Sequence, residues 1–315
     1  MTSYSLYFRI SRYALIACLF WLHPVTAKSA STTLSPASGP PELANIKAES
    51  AILVDAKTGK VLFARNEEQP RPIASTQKLL TALLVAEEGD LDGRFTIEEA
   101  DTLAEPTKLG FKTGEVYSRR DLLTVLLVHS CNDAALALAR NNAGSVEAFA
   151  DKMNRRAFVL GANHSHFVNP NGLPADDQYS TASDLSKIAL AVHENPTLGE
   201  IVSIKYLNFD YPDGRKIFYK NTNRALREQP FCTGMKTGYT VKSKHCLVLS
   251  GTYQDRDVIA VVLGCKKAQA VNEGVALLCY GLNIPYQSPA TLDEETVPVV
   301  KKKSTSTRQR RKASH

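Results

Sequence analysis

The sequence predicts an α+β fold in which an antiparallel five-stranded sheet is assembled from both ends of the chain and a helical lobe is inserted between them. Three observations carry this. The segment SAILVDAKTGKVLFARN (Ser50 to Asn66) places two short apolar runs around a polar Lys57-Thr58-Gly59-Lys60 turn, the pattern of a hairpin. A long middle follows with helical spacing: Leu79, Leu80, Leu83 and Leu84, then Leu122, Leu123, Leu126 and Leu127, then Ala134 to Ala139, ended by Gly144. Near the other end, Lys236 to Val241, Cys246 to Thr252 and Val258 to Leu263 read as three more strands, the last two joined around Gln254-Asp255-Arg256. Val271, Val275, Leu278 and Tyr280 to Leu282 then suggest a closing helix. Two strands from the start and three from the end make one sheet, with the helices as a separate layer. The cleft between such lobes is the natural place for a site.

The flanks carry their own signals. Arg9 and Arg12, the apolar run Tyr13 to Leu22 and the small positions of Val25-Thr26-Ala27 read as an export signal, residues 1–27, cleaved after Ala27. The run is too short for a transmembrane helix. Residues 28–44 hold Ser, Thr and Pro with little that packs, the composition of a flexible linker. Residues 45–287 are ample for one large domain, and 288–315 form a basic tail expected to be disordered. Seven Lys and Arg and no acid lie within 301–315, so the formal net charge of +6 falls to −1 once those seven are set aside. The basicity belongs to the tail, and no aromatic and basic interleaving points to nucleic acid. Five cysteines remain beyond the signal, an odd number, with no CxxC spacing; buried free thiols are the expected state for most of them.

Three short motifs carry chemistry. Ser75 and Lys78, in Ile73-Ala74-Ser75-Thr76-Gln77-Lys78-Leu79-Leu80, stand three residues apart at the opening turn of an amphipathic helix, hence on one face. A serine is a poor nucleophile without an adjacent base, and a desolvated lysine of lowered pKa can serve as one. Taken alone, an N-capping serine before a surface lysine gives the same pattern. Ser130-Cys131-Asn132 is presented from a tight connection between two apolar helices, with Asp133 as the expected N-cap of the second. Its hydroxyl suits proton relay and its amide suits a substrate carbonyl, although simple capping fits too. Lys-Thr-Gly occurs three times. The copies at Lys57 and Lys112 read as solvated turns, whereas Lys236-Thr237-Gly238 opens an apolar strand where Gly238 leaves room for a substrate backbone.

In this order the three motifs resemble those of serine penicillin-binding proteins and β-lactamases. The nearer resemblance is to the low-molecular-weight D-alanyl-D-alanine carboxypeptidases, over roughly residues 45–285. It is supported by ILVDAKTGKVLFARN, SCNDAALALA, the stretch Phe167 to Leu185 and DRDVIAVVLG. The resemblance implies a serine β-lactamase/transpeptidase-like fold and an acyl-enzyme on Ser75. Peptidoglycan stem peptides would be the substrate and β-lactams covalent inhibitors; no cofactor and no metal is implied. By motif, Lys78 is the general base, Ser130 and Asn132 relay protons and position substrate, and Lys236 with Thr237 holds the terminal region. The oxyanion hole falls to the Ser75 and Tyr239 amides, and Arg256 resembles an arginine that helps bind the substrate carboxylate. The family usually has glycine at the position of Cys131 and commonly histidine at that of Tyr239. Many members carry a C-terminal β-domain ending in an amphipathic membrane helix, where this chain carries its basic tail. That tail is expected to give weak electrostatic association with an anionic membrane.

Three other readings bound this one. A class A β-lactamase would resemble the family in a Glu-x-x-x-Asn loop, which has no counterpart between Asn132 and Lys236. A D,D-endopeptidase would use the same residues on cross-linked peptides, and a catalytically weak peptidoglycan-binding scaffold would leave them idle. His164 and His166 read as surface histidines, and Glu87-Glu88 and Glu98-Glu99 as solvated charge pairs.

Overall fold

The computed structural model describes residue 43 and residues 45–286; the expected export signal, the basic tail and all but Leu43 of the linker lie outside the described residues. The domain opens with β1 (Ser50–Asp55) and β2 (Val61–Arg65), paired antiparallel. Asp55 makes their turn: its carboxylate accepts from the Lys57 and Thr58 amides at 3.1 and 2.8 Å and from the Thr58 hydroxyl at 2.7 Å. Next come α1 (Lys78–Glu88), a small hairpin of β3 (Arg94–Thr96) and β4 (Val116–Ser118), and then α2 (Arg119–His129), α3 (Asn132–Ala143) and α4 (Val146–Val159). Ser118 caps α2 by accepting from the Asp121 amide at 3.0 Å, and α3 ends on left-handed Gly144, as its sequence predicts. Beyond a loop lie α5 (Ala182–Glu194), α6 (Pro196–Val202), a second hairpin of β5 (Tyr206–Asp210) and β6 (Lys216–Lys220), and the short α7 (Arg224–Glu228). The chain returns to the sheet as β7 (Cys232–Thr240), β8 (Lys244–Tyr253) and β9 (Arg256–Cys265), and α8 (Lys267–Leu282) closes it.

The five main strands run in the order β2-β1-β9-β8-β7 with every neighbouring pair antiparallel. Alternation along β9 shows how the two layers are held. Ile259, Val261 and Leu263 pack into the core shared with the helical lobe, while Val258, Ala260 and Val262 pack into a second core under α8. Burial on both faces is why β8 and β9 read as nearly continuous apolar runs. β7 is an edge strand facing the lobe and is longer than its sequence suggests, so Lys236-Thr237-Gly238 lies in mid-strand.

Candidate active site

Ser75 lies in a 3-10 turn, Ala74–Gln77, just ahead of α1, instead of in the helix itself; Lys78 is the first residue of α1. The cause is Ala74, whose φ of +49° is left-handed and cannot continue into a helix. Such a conformation costs on the order of 1–3 kcal/mol and persists only where the surroundings enforce it. Two glycines enforce it here. A Cβ on Gly172 would lie 2.1 Å from the Ala74 carbonyl oxygen, and one on Gly238 would lie 2.9 Å from the Ser75 amide nitrogen. The glycine of Lys-Thr-Gly thus admits the serine-bearing turn, not a substrate backbone as its sequence context suggests.

Lys78 is fully buried. Its Nζ lies 2.8 Å from Ser75 Oγ, 2.7 Å from Asn132 Oδ1 and 2.6 Å from the Asn171 carbonyl oxygen. Burial first, and the charge of Lys236 second, hold its pKa well below the ordinary lysine value. The two carbonyl acceptors take two N–H groups of a neutral amine, which leaves its lone pair for the serine hydroxyl.

Asn171 has no place in the sequence-derived set. It contributes a backbone oxygen, and its segment is tied to α1 and to the serine turn: Thr81 Oγ1 donates to the Pro170 carbonyl at 2.6 Å and Gln77 donates to the Asn169 carbonyl, while within the segment the Gly172 amide donates to Asn169 Oδ1 at 2.9 Å. The only advance sign of it is the turn-forming run Asn169-Pro170-Asn171-Gly172.

The second motif joins α2 to α3. Ser130 caps α2 in a left-handed conformation, φ 72°, partly exposed, and its hydroxyl has no hydrogen-bond partner among the described residues. Asn132 is the first residue of α3, so its side chain reaches Lys78 from the lobe. Asp133 is not the N-cap; Cys131 holds that position without a side-chain cap bond. The Asp133 carboxylate instead accepts from the Gly110 and Ala134 amides at 2.9 and 2.8 Å and ties down the loop before it. Cys131 is fully buried, and burial raises its thiol pKa despite the two lysines. All five described cysteines are free and buried.

On β7, Lys236 is fully buried with its pKa pulled down to about 7 by burial, and its side chain donates to the Thr237 carbonyl at 3.0 Å. The Thr237 hydroxyl donates to that of Thr222 at 2.8 Å. Tyr239 is 58% exposed, its ring stacked on His245 at 4.4 Å. Arg256 is the expected residue that the structure keeps away. Lys236 stands level with Val248 and, through it, with Val261, five residues farther along β9 than Arg256. Arg256 also has the strand parity of the α8 face, and it donates to the Gly281 carbonyl at 3.2 Å.

The other readings resolve simply. Lys57 and Lys112 begin turns with Gly59 and Gly114 left-handed. His164 contacts Glu68 at 3.0 Å while His166 contacts the Asp177 carbonyl, so the histidines do not converge. Glu87, Glu88 and Glu98 are not merely solvated: they pair with Arg156, Lys152 and Arg140.

Comparison with known proteins shows the family. The family model described as D-alanyl-D-alanine carboxypeptidase matches residues 35–267. The chain is 34% identical over 260 residues to a D-alanyl-D-alanine endopeptidase of Pseudomonas aeruginosa, covering 79% of this chain and 81% of that one. It is 32% identical to the D-alanyl-D-alanine carboxypeptidase DacF of Bacillus subtilis, covering 83% and 69%. Among solved structures, a D-alanyl-D-alanine carboxypeptidase of Mycobacterium tuberculosis superposes with a TM-score of 0.74 at 31% identity, over 81% of this chain and 98% of that one. With the motif residues brought together and these likenesses spanning most of the chain, the protein belongs to the D-alanyl-D-alanine carboxypeptidase family of low-molecular-weight penicillin-binding proteins.

Proposed function

We propose that the protein is a serine D-alanyl-D-alanine carboxypeptidase that removes the terminal D-alanine from peptidoglycan stem pentapeptides through an acyl-enzyme on Ser75. The observation that carries this is the buried Lys78 amine, 2.8 Å from Ser75 Oγ and anchored by two carbonyl oxygens. A capping serine with a surface lysine would have neither the burial nor the anchors. The neutral amine takes the hydroxyl proton as Ser75 attacks the carbonyl of the penultimate D-alanine. The developing oxyanion is met by the Ser75 and Tyr239 amides, a reading supported by the close approach of β7 to the serine turn at Gly238. As the C–N bond breaks, the proton passes by way of Ser130 to the departing D-alanine amine, and water later releases the shortened peptide. Lys236 and Thr237 hold the terminal carboxylate, Asn132 orients Lys78 and substrate, and β-lactams acylate the same serine.

Incubating the purified protein with a pentapeptide and weighing the products tests this. A loss of one alanine is expected, and Ser75→Ala should abolish both that release and covalent labelling by a fluorescent penicillin while the fold survives. A penicillin adduct on the alanine variant would sink the assignment. A second reading, D,D-endopeptidase action on cross-links, is favoured by the likeness to two enzymes named D-alanyl-D-alanine endopeptidase, from Pseudomonas aeruginosa and Escherichia coli. Both readings place the protein in the cell envelope, which gives residues 1–27 their role as an export signal. Among the described residues no helix is long and apolar enough to cross a membrane. We assign retention near the envelope surface to the basic tail.

A further inference from the structure

The β5–β6 hairpin presents a two-sided ribbon with different faces. Leu207, Phe209 and Tyr211 pack with Ile217 and Tyr219 against the lobe, where the Tyr219 ring meets that of His129 at a tilt of 38° with centroids 4.3 Å apart. The opposite face is exposed at every position: Tyr206, Asn208 and Asp210 on β5, Lys216, Phe218 and Lys220 on β6. Tyr206 and Phe218 are 52% and 56% exposed, and their rings lie nearly parallel, 14° apart with centroids 5.7 Å from each other. A stacked cross-strand aromatic pair steadies a hairpin by about 0.2–1 kcal/mol, yet about half of each ring stays in water, where it offers an apolar face to a ligand. Lys216 pairs with Asp210, while Lys220 has no ion-pair partner among the described residues.

The position of this face matters as much as its chemistry. Alternation continues past the end of β6: Lys216, Phe218, Lys220 and Thr222 are exposed, and Ile217, Tyr219 and Asn221 are turned inward. Thr222 is the residue whose hydroxyl is bonded to Thr237 at 2.8 Å. The aromatic pair and Lys220 therefore form a row that leads, through Thr222 in the bend just after β6, to the reactive cleft, with Phe218 about 7 Å from Lys220 at ~3.3 Å per residue. In the function proposed above, Thr237 holds the carboxylate of the leaving residue, so the row runs outward from the leaving-group side. A free terminal D-alanine ends at Thr237 and has nothing to place on that row. A cross-linked substrate does: its leaving group is a second stem peptide, which carries carboxylates and an attached amino-sugar chain.

We propose that the exposed face of the β5–β6 hairpin is a binding site for the second, leaving strand of cross-linked peptidoglycan. The C–H faces of its amino sugars lie on Tyr206 and Phe218, and a stem-peptide carboxylate meets Lys220. This rests on the acyl-enzyme reading and names its substrate class: the site accepts the cross-linked leaving group as well as free D-alanine. Pyranose rings expose apolar C–H faces that cover aromatic rings, and the flanking lysine complements an acidic peptide.

The test compares wild-type protein with the Tyr206→Ala/Phe218→Ala double variant on three substrates: a linear pentapeptide, a cross-linked muropeptide dimer bearing its sugars, and the same dimer stripped of sugars. The expected result is a KM for the sugar-bearing dimer raised roughly tenfold in the variant, with the pentapeptide and the stripped dimer handled as by wild type. Unchanged pentapeptide hydrolysis also reports that the variant is folded. A double variant that cleaves the sugar-bearing dimer as well as wild type does, or one that loses as much on the stripped dimer, overturns the site. Wild-type protein that cleaves the pentapeptide but neither dimer overturns it too, and leaves the carboxypeptidase reading standing. Failure on the pentapeptide would strike that reading instead.

Discussion

In the proposed reaction the two lysines of the site do opposite work with the same physics. Both are fully buried and neither has an ion-pair partner among the described residues, so burial favours the neutral form of each. Lys78 must be neutral to accept the serine proton, and activity should rise as pH climbs through its lowered pKa. Lys236 must be charged to hold a carboxylate, and in the free enzyme that charge is lost as pH rises through about 7. The kcat/KM profile for a pentapeptide is therefore expected to be bell-shaped, with its descending limb near neutrality. Amidating the terminal carboxylate should remove that limb, and a limb that persists with the amidated substrate would assign the fall to another group. Cys131 shows the same desolvation acting on an acid. The charges of Lys78 and Lys236 favour its thiolate, yet burial outweighs their attraction and raises its pKa. Iodoacetamide applied to the native protein should leave Cys131 unmodified and D-alanine release unchanged, whereas unfolding in guanidinium should expose it; peptide mass mapping reads both.

Among the elements, the strand β7 and the turn carrying Ser75 are pressed together at Gly238, and this fixes the sign of a substitution. Alanine in place of a strand glycine with open space around it stabilises by about 0.5–1 kcal/mol. At Gly238 the added Cβ would meet the Ser75 amide nitrogen at 2.9 Å and the Thr76 amide nitrogen at 3.0 Å, backbone atoms with little room to move. Gly238→Ala should instead destabilise by about 1–3 kcal/mol and slow penicillin acylation at least tenfold by ~1.4 kcal/mol per decade. Thermal melting and stopped-flow labelling measure the two effects, and a gain in stability would contradict the packing argument. The strands at both ends, the helices between them and the order of the three motifs were legible because periodicity and turn chemistry are local. Which face a strand residue occupies is not local: Arg256 points under α8 because of its register with β8. The segment of Asn171 was marked as a turn and by its likeness to the family, but its role was not legible, since a backbone carbonyl exists at every residue and leaves no mark in side-chain identity. Gly238 was marked but misread, because the partner that requires it is Ser75, far away in the chain.

For the whole molecule, the charge pattern poses a problem of location. Peptidoglycan substrates are fixed to the envelope, and among the described residues no helix is suited to span a membrane. Without the seven basic residues of 301–315 the chain carries a formal charge of −1, so the rest of the protein has no net attraction to an anionic surface. The clusters Lys301-Lys302-Lys303 and Arg308-Gln309-Arg310-Arg311-Lys312 contain no apolar residue, which excludes the burial of an amphipathic face in lipid and leaves electrostatics as the only attraction. At about 1 kcal/mol per basic residue near an anionic bilayer, seven are enough for reversible binding. The attraction decays over about 10 Å at 0.1 M salt, so it should weaken steeply as salt is added. The mature chain, beginning at Lys28, is expected to co-sediment with anionic vesicles at low salt and to be released at high salt, while the same chain ending at Val300 stays in solution throughout. Equal sedimentation of the two at low salt would remove the tail from the argument and leave an N-terminal signal that escapes cleavage as the anchor.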